Sequence, residues 1–155
     1  MRTFFITGFL IAFFSLCATG QDLTKGDDGL FYGADNKPYS GAYQEYYPDG
    51  QLRTLMNIVN GLIDGEVQLY FSNGLQNEIR SYKEGEMHGQ WTTWNEQGQK
   101  IAEAEYYEGQ KHGKWYVWNE EGVLLYDMTY HQGSRSGTWK MYDKNGTLIS
   151  EKDFD

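Results

Sequence analysis

The sequence is poor in cysteine, proline and histidine, with one, two and three of them in 155 residues. Its only cysteine is Cys17, so beyond the first twenty residues it has no means of forming disulfides, thiolate metal sites or a cysteine nucleophile. Positive charge is also scarce: 13 Lys and Arg stand against 22 Asp and Glu, a formal net charge of -9. Nucleic acid and anionic lipid headgroups both select basic patches, so neither is an expected partner. After Leu16 there is no long apolar run, and the mean hydropathy is -0.70. Direct membrane binding by the mature chain is therefore not expected. Nothing after Gln21 carries helical periodicity. Ser72, Ser81, Ser134 and Ser136 lack a nucleophile-elbow context, and no glycine-rich phosphate loop precedes a helix.

The first twenty residues read as a signal peptide. Met1 and Arg2 precede an apolar run from Phe4 to Leu16, and Ala18-Thr19-Gly20 offers a small-x-small cleavage site before Gln21. The run is short for a membrane span. The expected mature protein is exported, periplasmic or secreted. The alternative is a lipid anchor on Cys17, against which stands the bulky Leu16 beside the cut.

What the chain has in quantity is glycine and aromatic rings, the latter 17% of residues. Glycines fall at Gly41, Gly65, Gly89, Gly113 and Gly137, at Gly50, Gly74, Gly98, Gly122 and Gly146, and at Gly61, Gly85, Gly109 and Gly133. Every series steps by 24, and together they hold 14 of the 19 glycines. Rings keep the same step. Tyr43, Val67, Trp91, Trp115 and Trp139 form one column, and Tyr46, Tyr70, Trp94, Trp118 and Tyr142 a second. Ile58, Tyr82, Tyr106, Tyr130 and Phe154 form a third.

Within each unit two strand-like runs flank a turn, as in "KWYVW" and "VLLYDMTY" around Glu121-Gly122. Asp49-Gly50, Asn73-Gly74 and Asn145-Gly146 stand at the same place and favour the positive-φ geometry of tight hairpins. The period predicts an all-β fold: a single sheet of five stacked β-hairpin repeats of 24 residues over residues 39–155. Residues 21–38 are expected to provide a flexible leader, to about residue 28, and an N-terminal cap around the Asp35-Asn36 turn. With no second layer to bury against, the core should be ladders of equivalent side chains, and Trp115 should face away from Tyr116 and Trp118.

"YYPDGQL", "WNEQGQK", "WNEEGVL" and "YDKNGTL", with "EGEMHG" and "EGQKHG" between units, resemble the MORN-repeat variant of bacterial exported proteins. The resemblance covers residues 30–155 and implies an elongated, single twisted antiparallel sheet of successive hairpins. It is similar in particular to a YwqK-like group labelled as antitoxins, which implies a protein partner rather than a reaction. "GKWYVWNEEG" also resembles choline- or glucan-binding repeats, whose units are shorter.

Trp91, Trp94, Trp115, Trp118, Trp139 and Tyr142 are accordingly the candidate contacts for a partner or a glycan. The glycines are read as turn residues. His88 and His112 share a phase that places them two strands apart, about 10 Å, too far to ligate one metal, and His131 lies in another phase. All three are read as loop histidines in water. Glu96, Glu103, Glu105, Glu120 and Glu121 are read as solvated acids rather than a glycosidase pair. The expected function is a non-enzymatic exported scaffold, without cofactor or metal, that binds a protein in the cell envelope. The alternatives are a carbohydrate-binding module and an antitoxin or immunity protein.

Overall fold

In a computed structural model, residues 22–154 are described; the residues read as a signal peptide, with Cys17 and the expected cleavage site at Gln21, lie outside them. Twelve strands and no helix occur among the described residues. They are β1 (Thr24–Lys25), β2 (Phe31–Tyr32), β3 (Gly41–Tyr46), β4 (Leu52–Val59), β5 (Leu62–Tyr70) and β6 (Gln76–Lys83), followed by β7 (Glu86–Trp94), β8 (Lys100–Tyr107), β9 (Gln110–Trp118), β10 (Leu124–His131), β11 (Ser134–Tyr142) and β12 (Leu148–Phe154). Strands β3 to β12 form one ten-stranded sheet in sequence order, antiparallel throughout and not closed.

Two kinds of turn alternate along the array, and the sequence assigns the tight one to the wrong series. The two-residue turns are Asn60-Gly61, Glu84-Gly85, Glu108-Gly109 and Gln132-Gly133, in which both residues have positive φ. At Asp49-Gly50, Asn73-Gly74 and Asn145-Gly146 only the glycine is left-handed. There the chain closes a longer loop, with the Gly50 N–H donating to the Tyr47 oxygen at 2.9 Å and the Tyr47 N–H to the Gln51 oxygen at 2.8 Å. A left-handed conformation costs a glutamate or glutamine about 1 kcal/mol. Contacts between repeats hold it: the Gly85, Gly109 and Gly133 N–H groups donate to the Ile63, Met87 and Lys111 oxygens. The Asn60 N–H donates to Ser40 Oγ, and the Glu84 N–H to Asp64 Oδ2.

A third glycine series marks bulges. Pairing between repeats slips where Gly65, Gly89, Gly113 and Gly137 sit with φ of 99, 95, 61 and 60°. At Gly113 the left-handed backbone, φ 61°, penalises a side chain, and a Cβ would also displace the Glu105 carboxylate that lies over it.

The cap begins earlier than the sequence suggests. Thr24 and Lys25, read as part of a flexible leader, pair with Tyr32 and Phe31. Asp28 fixes the intervening turn by accepting the Leu30 N–H and the Tyr32 hydroxyl. The Phe31 N–H donates to the Gly61 oxygen, and the Gly61 N–H to the Tyr39 oxygen, both at 2.8 Å. Leu23, Phe31 and Tyr39 thereby pack on Met56, Ile58 and Val67, the buried apolar core of the described chain. The core therefore sits at one end of the array, where the cap supplies the second layer that the bare sheet lacks.

The loop between β11 and β12 carries an acid-sensitive element. The Asp143 carboxylate accepts the Thr147 and Asn145 N–H groups, and these bonds hold its pKa below the ordinary 3.8. A depressed carboxyl contributes stability above its unfolded pKa and loses it as pH falls through the lower folded value. We expect amide protection in the β11–β12 hairpin to weaken below about pH 4, and Asp143→Asn to remove that dependence. Asn95 and Asn119 accept equivalent loop N–H groups at the same phase, so the substitution keeps the geometry. Hydrogen exchange from pH 6 to pH 3 checks it, with the loop between β7 and β8 as internal control.

Candidate functional site

Strand register separates the two tryptophan columns onto opposite faces. Arg80 pairs with Trp91, Trp91 with Ala104, Trp115 with Met128 and Trp139 with Lys152, so these residues share one face. Tyr106, Tyr130 and Phe154 lie on the same face, each opposite a glycine: Gly89, Gly113 and Gly137. A glycine across the strand gives each ring space to lean toward the neighbouring tryptophan.

The result is a ladder of six rings, one per strand from β7 to β12. Centroids of Trp91, Tyr106, Trp115, Tyr130, Trp139 and Phe154 follow one another at 5.4, 5.2, 5.2, 5.0 and 4.9 Å, tilted by 37 to 60°. Such tilted contacts align ring edges with neighbouring faces. The bulges give the indoles their hydrogen bonds. Trp115 Nε1–H donates to the Glu105 oxygen at 3.0 Å and Trp139 Nε1–H to the Thr129 oxygen at 2.8 Å, both carbonyls lying where strand pairing skips. Trp91 Nε1–H donates to Glu78 Oε2 at 3.0 Å. Burial pushes the Tyr106 hydroxyl pKa up, with Tyr82 adding to it.

Cations lie on these rings, a feature that column counting misses. Arg80 stands 4.6 Å from the Trp91 centroid, and Lys111 4.4 Å from Trp115 and 4.9 Å from Tyr130. Arg135 lies 4.8 Å from Trp139 and 5.3 Å from Phe154, and Lys152 5.0 Å from Phe154. Burial works against the Arg80 charge, but the Glu78 carboxylate at 2.5 Å and the Tyr82 hydroxyl together outweigh it and raise the guanidinium pKa. Lys111, Arg135 and Lys152 have no carboxylate within ion-pair distance among the described residues. The only sequence signal is that the column Tyr39, Ile63, Met87, Lys111, Arg135 turns from apolar to basic along the array.

Trp94, Trp118 and Tyr142 belong to the other, polar face. Tyr116 packs on Trp118 at 5.6 Å, and Lys100 reaches both Trp118, at 5.4 Å, and Glu103, at 2.7 Å. Lys114 pairs with Asp127 there, and the Tyr46 and Tyr70 hydroxyls donate to Gln44 and Gln68. The six candidate contacts are therefore two sets of three, not one surface.

The histidines are on strands, not in loops. His88, Tyr107, His112 and His131 make a row across β7 to β10, with centroids 4.9, 5.7 and 5.3 Å apart. Phase along the chain separates His131 from His112, but the antiparallel return of β10 brings them side by side. Tyr107 fills the space between His88 and His112, and His112 Nδ1 is buried without a hydrogen-bond partner among the described residues. No group of three or more His, Cys, Asp or Glu among those residues is placed to hold a metal ion. Of the acids, Glu103 accepts from Gln90 and Lys100, and Glu105 lies over Gly113.

Residues 39–60, 111–132 and 135–155 match the family model of the MORN repeat variant. Each segment starts at the same phase, on Tyr39, Lys111 and Arg135, and spans one hairpin. No curated protein matches the chain. The matching segments are three of the five hairpin repeats of the sheet, and these are similar to the MORN repeat variant.

Proposed function

We propose that this chain is an exported, non-enzymatic scaffold whose ladder face binds a protein partner in the cell envelope. The observation that carries this reading is the contrast along one face. The cap covers it at β4 and β5, while from β7 onward no second layer among the described residues lies on the rings, only the side chains of Arg80, Lys111, Arg135 and Lys152. That stretch has shallow apolar grooves, one of about 240 Å³ lined by Tyr126, Met128, Trp139, Met141 and Phe154. A contiguous apolar surface with cations at its margin is the chemistry of a protein contact.

The carbohydrate reading has less support. Its ring faces are tilted against one another and lie under cations, and the Trp91, Trp115 and Trp139 N–H groups are already bonded within the chain. A sugar platform needs open faces beside free polar groups. An antitoxin or immunity role would be one case of protein binding.

Affinity capture from envelope extract tests the proposal. Wild-type protein should retain one stoichiometric protein, and Tyr126→Glu, at a 39% exposed position on the ladder face, should release it while keeping the fold. Titration with cell-wall glycans supplies the opposing arm. A saturable tryptophan emission change that Trp115→Ala abolishes without unfolding would replace the protein reading with the sugar reading. For export, intact mass should give a chain starting at Gln21. A diacylated Cys17 would move the protein to a lipid anchor, and an uncleaved cytosolic chain would refute export.

A further inference from the structure

Among the gaps between ladder tryptophans, the one between Trp91 and Trp115 has a floor unlike the rest. On β8 the residues facing the ladder are Ala102 and Ala104. The equivalent pairs on the other second strands are Thr54 and Met56, Glu78 and Arg80, Tyr126 and Met128, and Ser150 and Lys152. Two alanines therefore leave a slot of about 210 Å³ walled by Trp91 and Trp115, with Thr93 beside it and Tyr106 across one end. Its indole walls stand two strands apart, about 10 Å between backbones, and the Tyr106 ring touches both at 5.4 and 5.2 Å, so the space left over the two alanines beside that ring takes a single ring or branched aliphatic group.

The walls define the chemistry of the occupant. Both indole N–H groups are spent, on Glu78 and on the Glu105 carbonyl, so the walls offer only π and apolar surface. A cation lies over each wall. Arg80 is neutralised by Glu78, whereas Lys111, exposed and over Trp115, has no carboxylate partner among the described residues, in a chain of net charge -9. We propose that this slot is the anchor point for the protein partner, receiving one bulky apolar side chain that has a carboxylate next to it. The assignment rests on the scaffold reading and names the segment of the partner that the ladder face takes up.

Ala104→Met supplies the decisive variant, because Met56 and Met128 occupy the same column in other repeats and the fold accommodates that side chain there. The probe is N-acetyl-phenylalanine, a ring beside a carboxylate, followed by the five indole N–H resonances of the full chain. A single side chain on an open slot should bind in about the millimolar range. We expect saturable shifts at Trp91 and Trp115, with Trp94 and Trp118 on the opposite face unmoved. Ala104→Met should weaken binding at least about tenfold by filling the slot, and Lys111→Gln about threefold. The amide of the same compound, lacking the carboxylate, should bind the wild type as weakly as the acid binds Lys111→Gln.

Equal shifts at all five indoles, no saturation, or an Ala104→Met affinity matching the wild type would each overturn the slot. So would a neutral chito-oligosaccharide that binds there more tightly and is lost in Ala104→Met, which would assign the slot to sugar. The scaffold reading fails separately. A slot that binds the probe while envelope capture yields no partner sinks the protein partner, and a captured partner indifferent to Ala104→Met sinks only the slot.

Discussion

Ile58→Ala should cost about 3 to 4 kcal/mol of unfolding free energy, the upper part of the range for a buried isoleucine. Among the described residues Ile58 is the only large side chain below 2% exposure, at 0%, and the cap residues Leu23 and Phe31, with Tyr39 at the start of the array, converge on it with Met56 and Val67. Removing its branched side chain leaves a void lined by both cap and sheet, and the backbone bonds from Phe31 to Gly61 and from Gly61 to Tyr39 hold those walls apart. Total stability of an ordinary domain is about 5 to 15 kcal/mol, so the loss is a large share. Because repeats contact only their neighbours, the damage should be local. Hydrogen exchange should speed up in β1 to β5 while β9 to β12 keep most of their protection. Urea titration of Ile58→Ala beside Ile149→Ala provides the scale, since Ile149, at 56% exposure on β12, should cost under about 0.5 kcal/mol.

That expectation depends on where the core lies, which the sequence does not disclose. In the third column Ile58 reads as a weaker version of Tyr82, Tyr106, Tyr130 and Phe154, and Val67 as a weaker version of the tryptophans. An interruption of the rings looks like decay of the repeat. The structure gives it a physical reason: where the columns become aliphatic, a second layer from residues 22–38 covers them, and bulky rings would have no space. The leader was hard to read because Thr24 and Lys25 make a two-residue pairing with no hydrophobic alternation.

The glycine ruler was legible because a left-handed backbone penalises a Cβ wherever it occurs, independent of neighbours. It therefore gave strand number, hairpin order and repeat boundaries. It did not separate turn classes, since Asn-Gly suits a tight turn in isolation but here Glu84-Gly85 and Glu108-Gly109 occupy the tight turns, held by bonds from the preceding repeat. The opposite orientation of Trp115 and Trp118 was also legible, from the spacing of three across a short strand. Neither the His112–His131 contact nor the placing of Lys111 over Tyr130 could be read by phase. Both arise between strands of opposite direction, and a count along the chain sees only strands of the same direction.

Trp115→Ala should destabilise the protein by about 3 kcal/mol, whereas Trp118→Ala, three residues along, should cost about 1 kcal/mol or less. Composition and sequence neighbourhood do not distinguish the two; the faces do. Trp115 touches Tyr106 on one side and Tyr130 on the other, donates its indole N–H to the Glu105 carbonyl, and carries Lys111 on its ring. Its removal opens the ladder in the middle and orphans a carbonyl at a bulge that strand pairing does not serve. Trp118 has Tyr116 beside it and Lys100 near its ring, on a face where water can replace both. A double-mutant cycle of Trp115→Ala with Tyr130→Ala should return a coupling of about 0.5 to 1.5 kcal/mol. The same cycle between Trp115 and Trp118 should return a value near zero. Equal costs for the two tryptophans, or coupling across the sheet instead of along it, would mean that the rings act as separate surface groups, and the ladder would lose its role as the structural spine of the C-terminal repeats.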